Sequence, residues 1–198
     1  MVSVFCMETQ FGMAHPWQAG AAEETLAVQV IVLVHPPLGE TSLQETLNAV
    51  RAAPVARRVL ALGRADGDWL PAGFDLIGQR GGGYGERMAA AIADAHATAT
   101  LPVLLIRPDV SRITPDMLAD AAWSLISGEA EAAYGPALDG GFWLLGLPRP
   151  DRSLVVGIPA PHEAGGPGGR LLLDRLASAG LRVALAPRLD VATAPALR

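Results

Sequence analysis

Lysine is absent from this sequence: all 15 basic residues among its 198 are arginine. The absence excludes a Walker-type phosphate loop, and it excludes Schiff-base, pyridoxal-phosphate and lysyl-nucleotidyl chemistry, all of which need a lysine nitrogen. Cysteine is nearly absent too. Cys6 stands alone, so neither an internal disulfide nor a multi-cysteine zinc or iron–sulfur site can form, and a reducing compartment fits the chain. Long apolar runs are missing, since the strongest, Val30–Val34, is far short of the ~20 residues of a membrane span. The first basic residue is Arg51, so the amino end lacks the positive flank of a secretory signal, and a soluble, cytoplasmic protein is expected. Positive charge is scarce and dispersed. A net charge of -5 and a pI near 5.3 argue against general nucleic-acid binding, which needs a basic stripe to displace counterions. Binding of a single nucleotide stays open.

What is present is a core. The chain is 51% hydrophobic and 18% charged, and one domain of this length buries roughly 70% of its unfolded surface. Residues 1–26 show no sustained period and read as an extension, leaving a domain over 27–198. Val28–Val34 reads as a first strand with its exit stiffened by His35-Pro36-Pro37. Ser42 with Glu45 forms a capping-box pattern for a helix with Leu43, Leu47 and Val50 on one face. Val59–Leu62 and Phe74–Ile77 read as strands, followed by the glycine stretch 81–85 and a helix from about Glu86 with Met88 and Ile92 inward. Leu101–Ile106 is a continuous apolar run of the kind found in strands covered on both faces. Thr114, Pro115 and Asp116 mark a helix start with Met117, Leu118, Ala121, Ala122 and Leu125 facing the core. Ala132–Pro136, Phe142–Leu147 and Leu181–Ala186 read as further strands, and Gly180 as the C-cap of a helix carrying Leu171, Leu172, Leu173 and Leu176. Strands alternating with helices predict a three-layer α/β/α fold around a mostly parallel sheet.

In such a sheet ligands bind beyond the carboxyl ends of the strands. Gly81-Gly82-Gly83-Tyr84-Gly85 before a helix can turn backbone N–H groups toward an anion, with Arg80 and Arg87 adding charge, or can serve only as a glycine turn. Asp109, after the fourth strand, suits a hard divalent cation or an Asx turn. Asp139, ahead of two glycines, has the same two readings. His162-Glu163 lies in a Gly/Pro-rich loop and offers a ligand or acid/base pair, or a solvated surface. No Gly-x-Ser-x-Gly elbow occurs, which speaks against serine hydrolysis.

The segment Gln79-Arg80-Gly81-Gly82-Gly83-Tyr84-Gly85-Glu86-Arg87-Met88 resembles the "QRGGDLGERM" of the DUF2064, glycosyltransferase-A-like (GT-A) family. Leu104 to Asp109, with Ile113-Thr114-Pro115 and Leu118, is similar to "vliGtDcPgLtpelL", and Tyr134 to Leu147 is similar to "lGPaeDGGYwLlGl". Ile158-Pro159 stands where the family has "IPWST", and Leu181 to Thr193 resembles its carboxyl-terminal "LrV...lrDvDTpedL". The resemblance implies the nucleotide-diphospho-sugar transferase fold. With it, Asp109 and Asp139 are expected as catalytic metal ligands for Mg2+ or Mn2+ and the glycine loop (Gly82, Gly83, Gly85) with Arg80 and Arg87 on the nucleotide side, while Arg107 or Arg112, which the family pattern lacks, is expected to replace its lysine as a phosphate clamp.

The departures concern charge. The family's "PvPGrVKTRL" loop is here Pro36-Pro37-Leu38-Gly39-Glu40-Thr41-Ser42-Leu43, an acid in place of bases, and each lost charge-assisted bond is worth about 1.5 to 3 kcal/mol. Arg107 and Pro108 replace the small residues before Asp109, Ala160-Pro161-His162 replaces "WST", and Ala192 replaces the second aspartate of "DvDT". Three functions are therefore carried forward: glycosyl transfer from a nucleotide-diphospho-sugar with a divalent metal, nucleotidyl transfer to a small acceptor, and a non-catalytic nucleotide-binding or partner protein.

Overall fold

The computed structural model describes residues 4–6, 25–34, 40–63, 71–161 and 168–191. Among these described residues eight strands form one sheet: β1 (Val4–Cys6), β2 (Leu26–Leu33), β3 (Val55–Leu62), β4 (Asp75–Gly78), β5 (Val103–Ile106), β6 (Ala132–Pro136), β7 (Phe142–Leu147) and β8 (Val183–Leu185). The described residues also form the helices α1 (Glu40–Ala52), α2 (Tyr84–Thr98), α3 (Pro115–Ile126), α4 (Arg152–Val155) and α5 (Gly168–Ser178). The order across the sheet is β1-β8-β6-β7-β5-β2-β3-β4. Every pairing is parallel except those of β7, which runs against both β5 and β6.

Alternation along the strands divides the core in two. Val28, Val30 and Val32 of β2 and Leu104 and Ile106 of β5 join one cluster with α1 and α3. Ile31, Leu33, Val103 and Leu105 join the other with α2, α4 and α5. Both faces of the central strands β2 and β5 are thus covered, which is why these two read as continuous apolar runs. The fold is three-layered α/β/α, as the alternation of elements predicts.

Local signals account for most of the elements. Thr114 caps α3, its Oγ1 accepting from the Met117 N–H at 3.2 Å, with Pro115 opening the helix. At the end of α5, Gly180 (φ 72°) donates to Ala177 O at 3.0 Å and Leu181 donates to Leu176 O at 3.2 Å, the Schellman pattern of bonds.

Three expectations are corrected. Helix α1 begins at Glu40, so Ser42 lies within its first turn and is not the cap. Strand β3 begins at Val55, four residues before the apolar run, because Arg57 and Arg58 occupy strand positions with their guanidiniums satisfied. Arg57 pairs with Asp75 at 2.6 Å and with Gln29 Oε1 at 2.9 Å, while Arg58 binds Val50 O at 2.9 Å and Ala53 O at 2.8 Å. The amino-terminal stretch read as an extension supplies β1, which pairs with β8 at the sheet edge.

Replacing Thr114 with Ala removes the α3 cap. It is expected to lower stability by about 1 kcal/mol, read as a lower denaturant midpoint with an unchanged slope.

Candidate functional site

The reversal of β7 puts its first residue at the same edge of the sheet as the last residues of β5 and β6. Pro136 aligns with Phe142 and Ile106 with Leu144. Arg107 extends the ladder one step further by donating its backbone N–H to Trp143 O at 3.0 Å. Asp109 follows β5 and Asp139 sits in the β6–β7 turn, so both reach the carboxyl-end edge.

The segment 189–191 then ties the two loops together. Leu189 N–H donates to Pro136 O at 3.1 Å, Leu138 N–H to Leu189 O at 2.9 Å, and Ser111 N–H to Asp190 O at 3.0 Å. Isolated bridges join Ala137 to Leu189 and Val110 to Val191. From the other side Thr46 of α1, 1% exposed, donates its hydroxyl to Pro108 O at 3.4 Å. Arg112, next in this loop, holds the left-handed conformation at φ 68°.

Between the two aspartates lies Arg107, 3% exposed. Its Nε and Nη2 donate to Asp109 Oδ1 and Oδ2 at 2.9 and 2.7 Å, a bidentate fork. Nη2 also donates to Asp139 Oδ2 at 3.0 Å and Nη1 to Phe142 O at 3.2 Å. The remaining carboxylate oxygen, Asp139 Oδ1, accepts from the Gly141 N–H at 2.9 Å, closing an Asx turn over Gly140 at φ 83°. Burial alone would lower the Arg107 pKa, but the bonds and charges of Asp109 and the bond from Asp139 outweigh it and the net shift is upward. Arg107 is a permanent cation.

Gly141 leaves room for that guanidinium. A Cβ at this position would stand 2.6 Å from Arg107 Nη1 and 3.0 Å from Asp139 Oδ1. Gly169 of α5 packs against Gly140 O and Gly141 O, closer than any side chain allows, and Tyr134 donates its hydroxyl to Gly169 O at 3.0 Å. Burial is the first cause of the Tyr134 phenol's being pushed up to about 12. Tyr84, opening α2, is also buried, and desolvation raises its pKa in the field of Arg107, Asp109, Arg87 and Asp139.

The glycine stretch carries a second internal pair. Gly82 and Gly83 donate their N–H groups to Glu86 Oε2 at 2.8 and 3.3 Å. The Gly82 and Gly83 bonds hold the Glu86 carboxyl below its ordinary value. Gly81 takes φ +117°, where a Cβ would meet Glu86 Cβ at 2.7 Å. Gly85 packs against Val155 O, where a Cβ has no space, and donates to Ile158 O at 3.1 Å. Arg80 turns to an ion pair with Asp94 on α2. Arg87 is half-buried and acts through its charge on Tyr84.

The structure thus gathers Arg107, Asp109 and Asp139 and gives the N–H groups of Gly82 and Gly83 to Glu86. Residues 35–39 and the pair His162-Glu163 lie outside the described residues. Glu86 and the tie through 189–191 escaped sequence reasoning. The Gly83-x-x-Glu86 spacing carried a signal, because Glu three residues beyond a cap position reaches back to its N–H groups. Residues 189–191 fall in the segment that resembles the family's carboxyl-terminal motif, but nothing in their spacing points to the two aspartate loops.

A divalent cation is the group that the family resemblance implies here. The oxygen set is right for a hard cation, but all four carboxylate oxygens already accept from the chain, three of them from the guanidinium that fills the space between the two groups. As arranged, these residues do not fit a divalent metal. Among the described residues no group of three or more His, Cys, Asp or Glu could hold a metal ion, and no helix is long and apolar enough to cross a membrane.

Among the described residues, the mostly parallel sheet with β7 reversed matches the fold of nucleotide-diphospho-sugar transferases (GT-A). The chain is similar to a protein assigned as a nucleotide-diphospho-sugar transferase from Desulfovibrio desulfuricans G20 (21% identity, 83% of this chain and 81% of that one, TM-score 0.69). It is similar to glucosyl-3-phosphoglycerate synthase of Mycobacterium tuberculosis, solved with phosphoglyceric acid (14% identity, 98% and 82%, TM-score 0.64) and, in another complex, with Mn2+ and uridine diphosphate. A mannosyltransferase from Pyrobaculum calidifontis solved with GDP-Man and Mn2+ is a more distant likeness (17% identity, 86% and 58%, TM-score 0.55). No curated protein sequence matches. Residues 42–160, more than half of the chain, match the model of DUF2064, "Uncharacterized protein conserved in bacteria", and the chain belongs to this family.

Two measurements check the geometry. Gly141→Ala places a methyl group against the Arg107 guanidinium and is expected to lower stability by roughly 1–3 kcal/mol, seen as a lower melting temperature. Glu86, with its folded pKa depressed, contributes stability above its unfolded value, and that contribution is lost as pH falls through the lower folded pKa. The melting-temperature difference between the wild type and Glu86→Gln is therefore expected to favour the wild type at neutral pH. It should vanish on acidification below the ordinary carboxylate range.

Proposed function

We propose that this chain uses the nucleotide-diphospho-sugar transferase fold as a binding or partner domain and does not carry out metal-assisted glycosyl transfer. The observation that carries this reading is the guanidinium of Arg107 laid across Asp109 and Asp139. A departing nucleoside diphosphate needs positive charge at the strand ends. Two carboxylates against one guanidinium leave one net negative charge, where two carboxylates with a divalent cation leave none. At least four of Arg107's five N–H groups donate to the chain, so its positive charge is committed internally. The Gly82 and Gly83 N–H groups, the other feature suited to phosphate, are given to Glu86.

A second reading, transfer of a sugar from a nucleotide-diphospho-sugar, is favoured by Asp139, whose side chain keeps 24% exposure at the strand ends. Leu138 beside it is 58% exposed. In this reading Asp109 and Asp139 act at the reacting centre, with Arg87 and Arg107 on the nucleotide side.

Product analysis separates the readings. Incubation with a panel of nucleotide-diphospho-sugars and nucleoside triphosphates, with and without Mn2+, is expected to release neither nucleoside diphosphate nor pyrophosphate above the buffer rate. Release of nucleoside diphosphate establishes sugar transfer or donor hydrolysis and overturns the binding-domain reading. Release of pyrophosphate does so in favour of nucleotidyl transfer.

A further inference from the structure

Taking the strand ends as the site of the fold's donor chemistry, as the reading above does, we propose that Arg107 is the resident cation of that site. Its guanidinium holds the position between Asp109 and Asp139, the chain takes no divalent metal there, and removal of the guanidinium turns the same oxygens into a divalent-cation site.

Three independent features converge on this assignment. The first is saturation: the guanidinium accounts for both oxygens of Asp109, for Asp139 Oδ2 and for the Phe142 carbonyl. Asp139 Oδ1 is held by the Gly141 N–H. A metal could bind only by displacing a 3% exposed arginine from at least four hydrogen bonds and leaving its charge to find another partner.

The second is space. Gly141 carries no Cβ at the one place where a Cβ would lie 2.6 Å from Nη1. The β6–β7 turn is therefore shaped around the guanidinium as well as around its own hydrogen bonds.

The third is rigidity. Both aspartate loops are fixed by hydrogen bonds to residues 189–191, and the Pro108 carbonyl is held by Thr46. The loops that carry the two aspartates are consequently held in place by the backbone, with Asp139 Oδ1 fixed by the Gly141 N–H, and do not depend on the guanidinium alone for their convergence. The chemistry of their oxygens is that of a hard-cation site: two carboxylates and a main-chain carbonyl, with water to complete the shell, is a usual set for Mg2+ or Mn2+.

The test is Mn2+ binding, followed by calorimetry and by the loss of the free-ion electron paramagnetic resonance signal, for the wild type, Asp139→Asn, Arg107→Gly and the double variant Arg107→Gly/Asp139→Asn. The wild type is expected to show no saturable binding up to about 1 mM, the weak end of carboxylate-site affinities. Arg107→Gly is expected to bind one equivalent, at least ~10-fold tighter than any residual binding by the wild type, and the double variant to lose it. Thermal melting gives a second readout. Arg107→Gly without metal should melt below the wild type, and Mn2+ should raise its melting temperature while leaving that of the wild type unchanged.

Saturable Mn2+ binding by the wild type that Asp139→Asn abolishes overturns the proposal. So does an Arg107→Gly chain, folded or unfolded by circular dichroism, that responds to Mn2+ in neither binding nor melting. These outcomes are separate from product release. A wild type that releases nucleoside diphosphate but binds no Mn2+ overturns the binding-domain reading and leaves Arg107 as the resident cation.

Discussion

A guanidinium that is 3% exposed is tolerable only where its charge is compensated at short range, and Arg107 receives that compensation from two loops that are remote in sequence. Removing one member of a buried ion pair typically costs about 3–5 kcal/mol, because the other charge is left desolvated. The arrangement therefore constrains much around it. β7 must run backwards to bring the Asp139 turn to the edge where β5 ends, Gly141 must lack a side chain, and 189–191 must bind both loops. The α5 start, with Gly169 against Gly140 O and Gly141 O, closes the same cluster from outside.

The glycine turn before α2 repeats the principle with the signs exchanged. There the backbone N–H groups form the positive element and Glu86 supplies the anion. In both places a feature able to hold an ion of solution is satisfied by a side chain of the protein. Such self-neutralisation stabilises the fold locally and reduces what the site offers a ligand, since each bond given to the chain must be broken before a phosphate or a metal can use it. An arginine-only composition suits the carboxylate pair, because the planar fork can meet two carboxylates at once where a lysine ammonium is a point charge.

Much of the architecture was legible in the chain. Thr114-Pro115-Asp116 marked the start of α3, and β6 and β7 fall where their apolar runs place them, because in each case the signal is local. Legibility failed where tertiary contacts override local preference. Arg57 and Arg58 sit in β3 because Asp75, Gln29 and two carbonyls receive them, and α1 starts before Ser42. The short helix α4 and the edge strand β1 lie in stretches with no sustained period. Of the site, Asp109 and Asp139 were readable from their positions after strands, and Arg107 was readable as a cation in the same loop. Its target was not.

The sequence by itself determined the three-layer class, the family and the identity of the charged residues at the strand ends, because strand and helix periodicity and motif order are properties of neighbouring residues. Only the tertiary structure decided what those charges do. Arg107 and Asp139 are 32 positions apart and join through a 3.0 Å bond, which depends on one reversed strand and on a tie from residues 189–191. Charge type is written locally, whereas the partner of a charge is fixed by which chain ends the sheet brings together.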